Sequence, residues 1–231
     1  MPIVTCHDVT KTYRQGKVKV TALQSVNLEI EAGGFVALAG PSGSGKTTLL
    51  NLIGGLDRPD EGRIVVNGND YSRLKDAQMA ELRLQHIGFV FQAYNLIPVL
   101  SAVENVEYVM QLQGVTASER RQRARRILDD VGLSEKYHRR PSELSGGQQQ
   151  RVAVARAIVS NPSIVLADEP TANLDSKTGK GLLELMREMN TRRGVTFIFS
   201  THDSMVMAYA QRVVIIKDGR IDGDRMKSKV A

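Results

Sequence analysis

Short, continuous apolar runs, each followed by a stretch of helical spacing, mark the centre and the end of this chain. Phe35-Val36-Ala37-Leu38-Ala39, Ile164-Val165-Leu166-Ala167 and Thr196-Phe197-Ile198-Phe199 are runs of this kind. Because they show no polar alternation, they predict parallel strands buried on both faces. The opening of the chain has a different texture. Val4 and Cys6, then Val18, Val20, Leu28 and Ile30, recur in the strand period, with Gly16 and Gly33-Gly34 as breaks, which predicts an antiparallel β lobe. From about Ser101 to Ser160 glutamine, arginine and leucine recur with helical spacing and no strand-like run occurs, which predicts an inserted helical lobe. Its second helix opens with Thr116-Ala117-Ser118-Glu119, a capping-box pattern. It carries Arg120, Arg121, Arg123, Arg125 and Arg126 around Ala124, Ile127, Leu128 and Val131. An uninterleaved charge run of this sort is expected to be a solvated helix face rather than a nucleic-acid or lipid patch.

The fold expected is therefore α/β: a parallel-sheet core with an N-terminal antiparallel β lobe and an inserted helical subdomain. Residues 1–92 and 161–231 are assigned to the core and β lobe, and residues 93–160 to the helical subdomain. The 231 residues suit a single domain with an inserted lobe, and 42% apolar with 24% charged residues excludes disordered and collagen-like chains. Lys and Arg number 31 against 25 Asp and Glu, a net charge of +6 that permits an anionic partner without choosing among them. A single cysteine, Cys6, excludes an internal disulfide and a thiolate zinc cluster and fits a reducing compartment. Neither an export signal nor a run long and apolar enough to span a membrane is visible.

Three motifs narrow the chemistry. Gly40-Pro41-Ser42-Gly43-Ser44-Gly45-Lys46-Thr47 satisfies G-x-x-x-x-G-K-[ST] directly after one apolar run and before Thr48-Leu49-Leu50, the context a P-loop requires. Its glycines let successive N–H groups turn inward onto a phosphate, and the following helix adds its positive end. Lys46 is expected to neutralise β and γ oxygens, and Thr47 to offer a hydroxyl to Mg²⁺. Asp168-Glu169 closes a second buried run. Asp168 is expected beside the P-loop in the magnesium shell, and Glu169, one residue further out, is expected to polarise a water toward the γ-phosphate. The third motif, Leu144-Ser145-Gly146-Gly147-Gln148, pairs an S-x-x-Q capping box with two glycines that helix propensity disfavours. Such glycines predict the close approach of another backbone or a ligand, and hence a second phosphate cradle.

In that order, with Ser200-Thr201-His202-Asp203 at the end, these motifs resemble the ATP-binding cassette (ABC) ATPases, P-loop NTPases, over nearly the whole chain. The resemblance implies that Ser145, Gly146, Gly147 and Gln148 face the γ-phosphate held by the P-loop of a second copy, so that ATP joins a head-to-tail dimer. It further implies that Tyr13 stacks on adenine, Gln92 reaches Mg²⁺ and the attacking water, Asp175 lies at the dimer seam and His202 steadies the γ-phosphate. A guanine-reading Asn-Lys-x-Asp is absent from the sequence, which with Tyr13 favours ATP over GTP. His7, His86 and His138 are expected to be structural or surface residues.

The stretches Gln92-Ala93-Tyr94-Asn95-Leu96-Ile97-Pro98-Val99-Leu100, Gly54-Gly55-Leu56-Asp57-Arg58-Pro59 and Arg140-Pro141-Ser142-Glu143-Leu144 are similar to those of the bacterial lipoprotein-releasing and macrolide-exporting cassettes. Ala172 departs from the glycine common before Asn173-Leu174-Asp175. The resemblance implies a peripheral protein on the cytoplasmic face of the bacterial inner membrane, docking a separate permease near Gln92 to Leu100, with no nucleic acid expected. Three alternatives stand beside this reading: a division or envelope cassette that shares every catalytic residue and transmits force without transport, a soluble scaffold ATPase, and a nucleic-acid-stimulated ATPase. Recovery with or without a permease separates the first two readings, and salt-steep DNA or RNA binding marks the third.

Overall fold

A computed structural model of the protein describes residues 1–16 and 18–226; the last five residues assigned above to the core, 227–231, lie outside the described residues. Two long strands, β1 (Pro2–Gln15) and β2 (Val18–Glu31), form a hairpin, and β3 (Phe35–Ala39) runs into α1 (Lys46–Ile53). After β4 (Glu61–Val66), β5 (Asn69–Asp70), α2 (Asp76–His86) and β6 (Ile87–Val90) come three helices: α3 (Ala102–Leu112), α4 (Ala117–Asp130) and α5 (Gly146–Ile158). The chain returns through β7 (Ile164–Asp168), α6 (Ser176–Arg193), β8 (Thr196–Thr201), α7 (Ser204–Tyr209), β9 (Arg212–Lys217) and β10 (Arg220–Met226).

One sheet is antiparallel in the order β2-β1-β4-β5, and the other runs β10-β9-β3-β8-β7-β6. In the second sheet β9, β3, β8, β7 and β6 are mutually parallel and β10 alone turns back on β9. The continuous apolar runs have the cause predicted for them, because helices cover one face of this sheet and α1 with the antiparallel lobe covers the other. Along β8, Phe197 and Phe199 enter the core shared with α3, α5 and α6, while Ile198 between them enters the core shared with α1 and β1. Val165 and Ala167 of β7 alternate with Ile164 and Leu166 in the same way. All eight of these residues, counting Phe35, are fully buried. With both faces occupied, these strands have no surface on which to hold chemistry except their ends.

Val18 and Val20 lie in β2 of the expected antiparallel lobe and are 63% and 44% exposed. The hairpin outruns its neighbour: β4 pairs with β1 only as far as Thr10, opposite Glu61. One local expectation fails. Thr116 does cap α4, but without a side-chain hydrogen bond, and the capping box does not form. Glu119, which would have folded back on the cap, instead pairs with Arg123 one turn on.

The ring of Phe35 lies 4.6 Å from that of Phe199 and 5.6 Å from that of Phe197, centroid to centroid. Truncation by Phe35→Ala is expected to cost about 3–5 kcal/mol through lost burial and a residual cavity. In urea unfolding this reads as a lower midpoint at unchanged slope, whereas Val20→Thr at the exposed hairpin end is expected to stay within about 0.5 kcal/mol of the parent.

Candidate functional site

The loop between β3 and α1 is shaped by its last glycine. Gly45 is the N-cap of α1 at φ 105°, and a Cβ there would lie 2.5 Å from the Ala22 carbonyl oxygen; the backbone region and the close approach both demand glycine. Lys46, only 6% exposed, donates from Nζ to the carbonyls of Gly40 and Pro41 at 2.8 Å each, so its ammonium lies within the curl of the loop. The Ser44 hydroxyl is buried beneath the same loop with no hydrogen-bond partner among the described residues.

The acidic pair at the end of β7 divides its work by position. Asp168 ends the strand, opposite Ser200 in the ladder, and accepts from the Thr47 hydroxyl at 3.0 Å. Glu169 leaves the strand at φ 45°, an uncommon conformation for a residue with a side chain. Its N–H donates to the Ser200 carbonyl at 2.9 Å. One carboxylate oxygen accepts from Thr201 Oγ1 at 3.2 Å and the other lies 2.6 Å from His202 Nδ1. An ionised carboxylate can only accept, so Nδ1 of His202 carries the hydrogen.

These groups meet in one cleft of about 530 Å³, lined by Ser42, Gly43, Gly45, Lys46, Thr47 and Thr48 of the loop together with Gln92, Asp168, Glu169 and His202. Its size suits a nucleotide, and a loop of N–H groups with a lysine at a helix start suits its phosphates. The Thr47 hydroxyl, the Asp168 carboxylate and the Gln92 amide are hard oxygen donors that suit Mg²⁺. No group of three or more His, Cys, Asp or Glu side chains able to hold a metal occurs among the described residues, so such an ion would complete its shell with phosphate oxygens and water.

Other expected site residues lie outside this cleft. Gly40 and Ser44 sit in the loop but do not line it. Tyr13 does not line it either, although its cross-strand partner Val20 does. The Tyr13 hydroxyl donates to Asp57 at 2.9 Å, Lys11 lies 5.2 Å from its ring centroid, and burial followed by the Asp57 carboxylate pushes the phenol up to about 12. Ser145, Gly146, Gly147 and Gln148 form the start of α5, away from the cleft. The capping box is formed there: Ser145 N–H donates to Gln148 Oε1 at 3.0 Å and Gln148 N–H to Ser145 Oγ at 3.3 Å. The near neighbours of these glycines are side chains of this chain rather than another backbone: a Cβ at Gly147 would lie 2.4 Å from Thr178 Cγ2 and one at Gly146 2.8 Å from the Tyr94 hydroxyl. Asp175 is the N-cap of α6, accepting from the N–H of Lys177 and Thr178. Hydrogen bonding from Thr178 holds its carboxyl below the ordinary range.

Three positioning residues carry no motif signal. Gln150, fully buried in α5, donates from Nε2 to the Pro170 carbonyl at 2.8 Å and to that of Phe91 at 3.4 Å. It thus joins the residue after Glu169 to the residue before Gln92. Arg156 on the same helix donates to the carbonyls of Tyr94 and Asn95 at 3.0 and 2.6 Å, two residues with positive φ. Asn105, fully buried in α3, accepts from Ile97 N–H and donates to the carbonyls of Ile97, Leu100 and Ser101. Beside the loop that these residues pin, a groove of about 360 Å³ runs past Phe89, Phe91, Ile97, Tyr108 and Leu112. Tyr108 and Leu112 are 41% and 57% exposed there.

A family model described as ABC transporter matches residues 23–172. An uncharacterized ABC transporter ATP-binding protein of Thermotoga maritima is 50% identical over 216 residues, covering 94% of this chain and 92% of that one. The macrolide export ATP-binding/permease protein MacB of Hyphomonas neptunium is 48% identical over 230 residues, all of this chain but 36% of MacB; the chain thus spans about a third of that relative's length. Among solved structures, the dimeric structure of MJ0796, a bacterial ABC transporter cassette, superposes with a TM-score of 0.90 at 43% identity, covering 96% of this chain and 98% of that one. A dimeric post-hydrolysis state of the same cassette, bound to ADP and Pi, gives 0.89 at 44% identity with the same coverage.

Gln150→Leu removes both bridges while keeping the volume nearly filled. Turnover is expected to fall about tenfold or more through misplacement of Gln92 and Glu169, with nucleotide affinity, which depends on the loop before α1, held within about twofold. Steady-state kinetics beside equilibrium nucleotide binding check this; a purely structural role would lower the melting temperature and leave the folded enzyme's kcat alone.

Proposed function

The chain belongs to the ABC transporter family, and from that premise we propose that it is the ATP-hydrolysing cassette of a membrane system. It works as a head-to-tail pair of copies whose closure on ATP drives a permease. The observation that carries the hydrolytic part is the contact of Glu169 with His202 at 2.6 Å, in the same cleft as Lys46 and the Thr47–Asp168 pair.

The reaction is ATP plus water to ADP plus phosphate. The N–H groups of the loop and the Lys46 ammonium hold the β- and γ-phosphates and offset the charge that develops on their oxygens. Glu169 accepts a hydrogen bond from the attacking water and aligns it with the γ-phosphorus; the new phosphorus–oxygen bond forms as the bond to the β-phosphate oxygen breaks. Thr201 and His202 fix both carboxylate oxygens of Glu169, which keeps that water's acceptor from rotating away. His202 also steadies the γ-phosphate. Thr47, Asp168 and Gln92 would hold Mg²⁺, which would supply neutralisation of the phosphate oxygens. Tyr13 lies on the β-lobe side of the cleft and stacks on the adenine. Ser145, Gly146, Gly147 and Gln148 do not line this chain's own cleft, which supports their closing the site of a second copy, with Asp175 at the seam. The dimeric assembly of MJ0796 supports that arrangement.

The permease contact belongs at the loop from Gln92 to Leu100 and the neighbouring apolar groove, where Val99, Tyr108 and Leu112 are exposed. The relative MacB is named as a joint ATP-binding/permease protein, which supports a permease as the partner. No helix among the described residues is long and apolar enough to cross a membrane; the seat proposed, from the permease partner, is peripheral on the cytoplasmic face of the bacterial inner membrane.

Two variants test the assignment. Glu169→Gln is expected to retain ATP binding while lowering turnover by about 10²-fold or more and to accumulate a closed dimer on size exclusion with ATP. Lys46→Ala is expected to weaken nucleotide binding itself. Near-parental turnover in both variants would overturn the reading.

A further inference from the structure

The arginines of α4 are not one uniform solvated face. Arg120 and Arg121 pair with Glu107 and Arg123 with Glu119, and Arg125 lies over the Tyr137 ring at 5.6 Å. Arg126 has no ion pair or hydrogen bond among the described residues. It opens on a separate cavity of about 490 Å³, where Arg123 and Arg126 of α4 meet Arg192 and Arg193 from the last turn of α6. Asp130 is the one carboxylate in that lining, and Arg193 already engages it at 2.9 Å. The lining itself therefore carries a formal surplus of three positive charges, with Glu119 and Glu188 just outside it as the exposed partners of Arg123 and Arg192. The negative end of α6 accounts for basic residues in its own last turn, but not for Arg126, which belongs to another helix.

The shape and chemistry select the ligand. Buried Ile127, Val159 and Met189 form an apolar floor, and the concavity is of small-molecule size. Guanidinium forks match phosphate bidentately. No aromatic side chain lines the cavity, so it lacks the stacking platform that single-stranded nucleic acid uses. We propose that this cavity binds a small anion carrying at least two phosphate groups, at a site separate from the nucleotide cleft. Arg126 supplies the one unpaired fork of the lining, Arg192 turns to the anion from its exposed pair with Glu188 at 2.7 Å, a contact of little strength in water, and Arg193 is held in place by Asp130 and by Asn161 Oδ1 at 3.2 Å.

The probe is inorganic pyrophosphate, titrated calorimetrically into the full chain held at saturating ADP so that the P-loop is already filled. One further site is expected. Arg126→Glu with Arg192→Glu is expected to weaken it about tenfold or more, while Arg126→Lys with Arg192→Lys weakens it less, because charge stays and the fork is lost. ADP affinity and melting temperature are expected to hold in both. Flotation with phosphatidylcholine vesicles, with and without cardiolipin, then separates the sources of the phosphates. Cardiolipin-dependent flotation lost on charge reversal assigns a lipid headgroup, and pyrophosphate binding without flotation assigns a soluble ligand. Absence of the second pyrophosphate site, equal binding by the charge-reversed variant, or preferential salt-steep binding of DNA lost on the same reversal would each overturn the proposal.

Discussion

A parallel strand covered on both faces can act on solvent only where it ends, and most of the cleft follows from that constraint. β3, β7 and β8 lie side by side with helices on one side and α1 and the β lobe on the other. Their carboxyl ends deliver Gly40 and the P-loop, Asp168 with Glu169, and Thr201 with His202 to one place. The register sets the alignment: Asp168 stands opposite Ser200, so Glu169, which follows the one, meets Thr201 and His202, which follow the other, once its backbone turns to positive φ. Apolar burial thus sets the geometry of groups that are themselves polar.

A second layer of control runs through one helix. α5 begins with the capped glycines at Ser145 to Gln148 and, three turns on, holds Arg156. Between them Gln150 bonds the backbone on either side of the catalytic carboxylate loop and the glutamine loop. The segment proposed to face a second copy, the segment leading to Gln92 and the segment leaving Glu169 are therefore all tied to α5. A displacement of α5 is transmitted to all three, which is the mechanical requirement of the proposed coupling of dimer closure to hydrolysis and to a permease.

What the sequence made legible was chemistry confined to a few consecutive residues. The P-loop, the Asp168-Glu169 step and the Ser145 to Gln148 cap each carry their reason locally, and the fully apolar runs reveal their two-sided burial. Gln150, Arg156 and Asn105 were invisible because their partners are carbonyls in other segments, and a carbonyl has no residue signature. The positive φ of Glu169 was equally hidden, since glutamate has no preference for it. Thr116 failed as a box because an arginine one turn later competes for Glu119, and the exposure of Val18 and Val20 was not legible because alternation reports a pleated strand, not the presence of a neighbour to cover it.

The backbone of Glu169 carries a further consequence. Left-handed conformations suit glycine, asparagine and aspartate, and a longer side chain adopts one at a cost of about 1–3 kcal/mol. Yet only glutamate has both the charge and the reach to meet Thr201 and His202 from that turn. Side-chain length has outranked backbone comfort here, so an engineer who relaxed the turn with a shorter residue would make a hardier protein and a poorer enzyme. Stability and activity are set against each other at a single position.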